Sequence, residues 1–167
     1  MKIIKSINDL SKLVLVQKNK GKRVGLVVGA FDVMHLGHIN LFRLAKKHVD
    51  TLIVGLDNDK TLKITKGEKR PINNYYRRSQ FLSELSLVDY VFKIGRVFKH
   101  GDTKSSDYFL SLYKKIGPTH IFTHTETDSQ GLNRKRMAKV LSIKFIPDAT
   151  KTVTHTSDIL KKLESEM

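Results

Sequence analysis

Two histidines that flank a glycine are the residues of this chain best suited to chemistry. In the stretch VGAFDVMHLGHINLF, His35 and His38 stand three residues apart with Gly37 between them, and a predicted strand ends at Gly29. A predicted helix begins just after the pair. Side chains three residues apart on a helix face the same way, and a helix start offers free amides and a positive dipole end. These features together suit a polyphosphate.

Each of these residues also has a purely structural interpretation. A histidine at a helix start is more often a cap or a satisfied polar group than a catalytic residue. Metal ligation is disfavoured, because structural zinc takes four ligands, the chain has no cysteine, and the remaining histidines show no paired metal spacing. We therefore predict no metal held by protein side chains.

The elements around this loop alternate as in a Rossmann-like α/β fold. Short apolar runs predict five strands, at 23–28, 51–56, 90–93, 119–122 and 142–146. Amphipathic periodicity predicts helices at 6–18, around 41–48, and at 75–85, 107–116 and 133–140, with a last one from Ser157 onward. The alternation predicts an open parallel five-stranded sheet with helices on both faces, in a single domain over residues 1–167. Ligands of such sheets bind beyond the carboxyl ends of the strands, at the point where the strand order reverses.

Composition narrows the class of protein further. The chain of 167 residues has no cysteine for disulfides, no apolar run of the about eighteen residues that a membrane span needs, and no signal-like leader. We therefore expect a cytoplasmic protein without membrane partners. The net charge of +15 indicates affinity for polyanions, but the lysines and arginines are spread along the chain rather than gathered in one arm. No GxGxxG turn signals a dinucleotide cofactor.

Three stretches of the sequence resemble one family in order. GAFDVMHLGH is similar to the G-x-F-D-x-x-H-x-G-H signature of the cytidylyltransferase-like, or HxGH, nucleotidyltransferases. LIVGLDNDKTLKITKGEKRPINNYYRRSQFL resembles the adenylyltransferase domain of ADP-heptose synthase, with its KG-x-x-RP-x-N run and a spaced arginine. THTSDILKKL occupies the place of the family's second motif, I-S-[ST]-[ST]-x-I-I. From the first to the last, the three stretches span residues 29–163, which is most of the chain.

The resemblance implies a reaction and a set of residues. The reaction transfers AMP or CMP from ATP or CTP to a small phosphorylated metabolite and releases pyrophosphate, with Mg²⁺ as cofactor. The catalytic residues implied are His35, His38 and Lys66, the last in a flexible basic segment after the second strand. The nucleotide-binding residues implied are Gly29, Ala30, Phe31, Asp32, His35, Gly37, His38, Arg78, Thr156 and Ser157. The family also makes a homodimer possible.

The sequence departs from the ADP-heptose type near the fourth strand. FTHTETDS stands where that type has V-K-G-G-D-Y, and His155 stands where a serine is usual. His155 and the two hydroxyl residues after it resemble the H-S-S form of the second motif in archaeal FAD synthetases. We assign acceptor binding to Lys63, His124 and Glu126 as a hypothesis. The alternative to an enzyme is a nucleic-acid-binding or regulatory protein that retains the fold, and the charge supports it.

Overall fold

The structure is a computed structural model that describes residues 2–4, 6–99, 102–125, 130–150, 159, 162 and 165–166. In this part of the chain six strands form one parallel sheet. The strands are β1 (Ile3–Ile4), β2 (Val24–Gly29), β3 (Thr51–Leu56), β4 (Tyr90–Lys93), β5 (His120–His124) and β6 (Lys144–Asp148). The helices are α1 (Ile7–Asn19), α2 (Leu36–His48), α3 (Asp59–Lys66), α4 (Tyr75–Glu84), α5 (Ser105–Ile116) and α6 (Gly131–Val140). The predicted helix from Ser157 begins outside the described residues.

The Rossmann-like parallel fold is confirmed, but the prediction of five strands was wrong by one. The strand order is β1-β4-β3-β2-β5-β6. The additional strand is β1, which pairs with the edge of β4 through Ile3 opposite Val91 and Ile4 opposite Phe92. A strand of two residues is too short to show any hydrophobic period, so the sequence pattern could not reveal it.

Alternate residues of the central strands supply two separate cores, one on each face of the sheet. Leu26 faces the layer of α1, α5 and α6, where it clusters with Leu10 and Tyr113. Val27, the next residue, faces the layer of α2 and α4, where it clusters with Phe42. Val27 is 1% exposed, and the other four side chains are fully buried: Leu10, Leu26, Phe42 and Tyr113. The period of two therefore explains why the central strands β2 and β3 are apolar along almost their whole length.

The basic segment after β3 folds into helix α3 instead of the flexible loop that we expected. Asn58 begins this helix, since its side-chain oxygen accepts a hydrogen bond of 2.9 Å from the Thr61 amide. The Asn58 amide group also donates to the carbonyl of Arg96 at 2.7 Å, which ties α3 to the turn after β4. Gly67 ends α3 with a φ of 106°, a backbone conformation that other residues rarely adopt. Lys63 and Lys66 therefore occupy its last turn.

Candidate functional site

The reversal of strand order places a crevice between the carboxyl ends of β2 and β5. The chain builds β2, β3 and β4 outward on one side and then crosses back, so that β5 pairs with the other side of β2. Residues 29–38, which we call the His loop, leave the end of β2. His124 is the last residue of β5. The crevice is the position where open parallel sheets bind their ligands.

The His loop is held in an unusual backbone conformation. Phe31 has a φ of 47°, in the left-handed region that bulky residues rarely adopt. Its ring is 5% exposed and packs 5.4 Å from Phe42 and 5.1 Å from His38, measured between ring centroids. A Cβ at Gly29 would lie 3.0 Å from the Phe31 ring. Glycine at position 29 therefore gives the Phe31 ring room to pack across the strand end, and a larger residue would push the ring aside.

The two histidines cap helix α2 with their own rings. His35 is the N-cap residue, and its Nδ1 accepts a hydrogen bond of 3.2 Å from the Gly37 amide. Nδ1 of His38 accepts a bond of 3.3 Å from the His35 amide, and the ring centroids lie 3.9 Å apart. Because each Nδ1 accepts, Nε2 is the nitrogen that carries the ring proton in both residues. The capping role and a catalytic role are thus compatible, because Nδ1 makes the cap and Nε2 carries the N–H.

Burial is the main reason that His38 stays neutral. Burial, reinforced by the charges of His35, Lys66 and His124, lowers the pKa of His38 from 6.5 to about 3. Three residues from three different elements therefore act on one imidazole, and all three were predicted site residues. At neutral pH the His38 ring is a neutral N–H donor within a positively charged crevice, which is the electrostatic setting that suits phosphate oxygens.

Asp32 joins the His loop to the segment between α3 and α4. Its carboxylate is buried and accepts hydrogen bonds from Arg70 Nε at 2.6 Å and from the amides of Ile72 and Asn73 at 2.9 and 2.8 Å. The Asn73 side chain donates back to the Asp32 carbonyl at 3.0 Å. Asp32 therefore has its acceptors occupied by protein groups, and its place in the structure is that of a loop organiser.

Arg78 lies beneath the loops rather than on the surface of the crevice. One terminal nitrogen donates to the Ala30 carbonyl, and the other donates to the Asp57 carbonyl and the Asp59 carboxylate, both at 2.7 Å. The Arg78 side chain is 0% exposed. The contact with nucleotide that the family resemblance implies for Arg78 is not tested by these distances and stays a prediction.

His124 turns its ring toward the chain that follows β6. Its Nε2 donates to the carbonyl of Thr150 at 2.9 Å, and the residue is 8% exposed. Lys63 is exposed on α3. Three further predicted site residues lie outside the described residues: Glu126, Thr156 and Ser157. The predicted roles of all these residues remain predictions, while the contact between the rings of His35 and His38 is a structural finding.

Sequence reasoning missed the residues that support the loop. Arg70 and Asn73 bind Asp32, and Asp59 binds Arg78. Arg70 and Asn73 belong to the RP-x-N run, which contributes to the family resemblance but predicted no role for either residue. Its arginine and asparagine were the available signal, because a buried carboxylate needs partners of these types.

Among the described residues, no three histidine, aspartate or glutamate side chains lie together as metal ligands would. None of the helices in the described part of the chain is both long and apolar enough to cross a membrane.

The fold and the crevice define a Rossmann-like α/β protein with a histidine-capped, positively charged site at its switch point. The sequence model of the cytidylyltransferase-like family matches residues 26–162. That match includes β3, β4, β5 and β6 entirely, the last four residues of β2, and the whole His loop. The chain therefore belongs to the cytidylyltransferase-like family of nucleotidyltransferases.

Curated relatives support the same family over part of their length. The bifunctional protein HldE of Aliarcobacter butzleri is 41% identical over 88 residues, which are 53% of this chain and 18% of that protein. HldE of Nitrobacter winogradskyi is 37% identical over 118 residues, which are 65% of this chain and 24% of that protein. The chain thus corresponds to about a fifth of these relatives, which are several times longer.

Solved structures show the fold at greater sequence distance. The lipopolysaccharide core biosynthesis protein of Thermoplasma volcanium superposes with a TM-score of 0.59 and 23% identity, over 79% of this chain and all of that chain. The pantoate-beta-alanine ligase of Francisella tularensis gives a TM-score of 0.65 and 17% identity, over 98% and 77% of the two chains. At these identities the similarity concerns the fold alone.

Proposed function

We propose that the protein transfers a nucleoside monophosphate, AMP in preference to CMP, from the triphosphate to a small phosphorylated metabolite. The observation that carries the proposal is the pair of histidine rings at the start of α2, in which each Nδ1 accepts a hydrogen bond from a backbone amide, so that Nε2 carries the proton of the neutral ring. In the reaction an acceptor phosphate oxygen bonds to the α-phosphorus, the bond from that phosphorus to the bridging oxygen breaks, and pyrophosphate leaves.

The site chemistry suits a reaction without a general base. A phosphate oxygen is already ionised at neutral pH, so catalysis reduces to positioning and to stabilising the negative charge that builds on the transferring group. His38, with its pKa lowered to about 3, supplies a donor and no proton. His35 supplies the second donor, and Lys66 supplies a positive charge for the departing pyrophosphate.

Mg²⁺ fits this site as an ion held chiefly by the phosphates. The buried carboxylate of the His loop, Asp32, is occupied by Arg70 and two amides, and no three histidine, aspartate or glutamate side chains among the described residues lie together as metal ligands would. Bound with the triphosphate, the ion would neutralise part of the negative charge of the phosphates. The histidines and Lys66 would then orient the triphosphate without ligating the metal.

Two likenesses favour AMP. The segment around Lys63 and Lys66 resembles the adenylyltransferase domain of ADP-heptose synthase, and the curated relatives are HldE proteins. The acceptor is the less constrained partner, because the chain departs from that domain at His124 and Glu126. We propose a sugar phosphate, a polyol phosphate or flavin mononucleotide as the acceptor, and these two residues, with Lys63, as its binding groups.

Pyrophosphate release tests the proposal directly. ATP or CTP with Mg²⁺ is offered with heptose 1-phosphate, glycerol 3-phosphate, phosphocholine, phosphoethanolamine or flavin mononucleotide, one at a time. We expect one pair to turn over and the His38→Ala variant to lose at least about a hundredfold in turnover. Full activity in a folded His38→Ala enzyme would refute the proposed chemistry.

The net charge of +15 favours a second candidate function, the binding of nucleic acid by the same fold. Residues 130–150 carry three exposed cations on α6, Lys135, Arg136 and Lys139, and their one carboxylate, Asp148, is buried. RNA affinity that falls steeply with salt, in protein that turns over no pair of substrates, would favour this candidate.

A further inference from the structure

One buried side chain connects the two elements that carry the proposed phosphate-binding groups. His38 lies on the His loop and Lys66 lies on α3, so their relative position depends on how the two elements are joined. Arg78, which comes from α4, donates to Ala30 in the first and to Asp59 at the start of the second. Both contacts use the terminal nitrogens of a single rigid guanidinium.

We propose that Arg78 is a positioning residue that sets the His loop against α3 through Ala30 and Asp59, and that it does not bind the nucleotide itself. The proposal rests on the proposed function, because in that function His38 and Lys66, one from each element, bind the same triphosphate. It departs from the family resemblance, which implies a phosphate or nucleotide contact for this arginine.

Burial argues that the guanidinium stays where it is. The Arg78 side chain is 0% exposed and meets two carbonyls and one carboxylate. Turning toward a phosphate would break the bonds to all three part-buried acceptors at once, and the loss of several hydrogen bonds from a charged donor is unfavourable. A charge so enclosed acts on catalysis through the groups it holds.

The bond to Ala30 also meets the loop at its most constrained point. Phe31, the next residue, has the left-handed φ of 47° and precedes the histidine caps. A non-glycine residue keeps such a conformation only where the surroundings enforce it. Asp59 completes the connection, since its second oxygen accepts from the Tyr75 amide at 3.0 Å and so joins α3 to α4.

The chain offers a matched pair of carboxylates for the test. Asp59 accepts from Arg78 and from one backbone amide, and its side chain is 36% exposed. Asp89 accepts from Lys46 and from the Leu52 amide, is 34% exposed, and lies before β4 at the opposite end of the sheet. Asp59→Ala therefore removes the bond from Arg78 to the side chain that begins α3 and leaves its bonds to Ala30 and Asp57, whereas Asp89→Ala removes an equivalent pair elsewhere.

Amide hydrogen exchange provides a measurement that needs no substrate. We expect peptides over residues 29–38 to exchange at least about tenfold faster in Asp59→Ala than in wild type, and at the wild-type rate in Asp89→Ala. Unchanged exchange of these peptides in Asp59→Ala overturns the proposal. Because the readout involves no turnover, it decides the role of Arg78 even where the proposed reaction fails.

Kinetics then separate positioning from direct binding. In Asp59→Ala and in Arg78→Lys we expect kcat to fall by about ten- to a hundredfold, with the KM for the nucleoside triphosphate within about threefold of wild type. A nucleotide KM that rises strongly in Arg78→Lys while Asp59→Ala behaves as wild type would make Arg78 a direct ligand and overturn the proposal. Arg78→Lys keeps the charge, so the loss reports geometry.

Discussion

Replacing His38 separates the two jobs of its ring. Asparagine places an oxygen near the position of Nδ1, so His38→Asn keeps an acceptor for the His35 amide but lacks the distal Nε2–H donor. Glutamine reaches the distal position instead, so His38→Gln keeps a donor and loses the cap. The hydrogen bond that the cap makes is 3.3 Å long, and we expect its loss to cost no more than about 1 kcal/mol.

The expected loss in His38→Asn comes from the donor alone. Because the pKa of His38 is about 3, the ring is neutral at pH 7.5 and no net charge is removed by the substitution. A well-aimed donor to a developing negative charge contributes about 3 kcal/mol in the transition state, which corresponds to roughly a hundredfold in kcat. The kcat of His38→Gln should fall less than that of His38→Asn.

Single-turnover measurement of pyrophosphate release gives kcat for the chemical step, and thermal unfolding gives the stability of the same samples. We expect His38→Asn to unfold close to wild type and to react about a hundredfold more slowly. A His38→Asn enzyme within about threefold of wild-type kcat would show that the distal nitrogen is not a donor to the reacting phosphate. A His38→Gln enzyme slower than His38→Asn would assign the ring's importance to the cap.

Three further predictions concern charge and packing. In the unfolded chain His38 binds a proton as the pH falls through 6.5, whereas in the folded protein its pKa is about 3. The free energy of unfolding should therefore keep its full value above pH 6.5 and fall by about 1.4 kcal/mol per pH unit toward pH 3. Urea unfolding at pH 7 and at pH 5 should show a larger loss of stability in wild type than in His38→Asn. Lys66→Met should raise the pKa of His38 in an NMR titration, whereas Lys63→Met should not, because the charge of Lys66 is among those that lower it; equal shifts would contradict the arrangement. Gly25→Ala should cost about 1–3 kcal/mol of unfolding free energy, since a Cβ there would lie within 2.9 Å of two buried side chains; a wild-type Tm would show that those neighbours move freely.

Local patterns in the sequence located the long elements well. The predicted strand at 51–56 and the predicted helix start at Tyr75 coincide with β3 and α4. The predicted helix at 6–18 begins where α1 does, at its cap Ser6, whose side chain accepts from the Asn8 amide. These features depend on neighbours in the chain, which periodicity and capping preferences report directly.

Contacts between residues far apart in the sequence could not be predicted from it. Arg78 meets Ala30 across 48 positions and Asp32 meets Asn73 across 41, and no period in the sequence links such pairs. The placement of α3 failed for a related reason. Six of its eight residues have polar side chains, and the helix is fixed by Asn58, which is tied to the turn after β4.

Histidine caps have a consequence for how the site responds to its ligand. Since backbone amides already orient both rings in the free protein, the freedom of those side chains is given up when the chain folds and not when a triphosphate arrives. The same helix start that makes α2 stable thus prepares the donors in advance. Selection for a well-formed α2 and selection for fast chemistry then act on the same two hydrogen bonds.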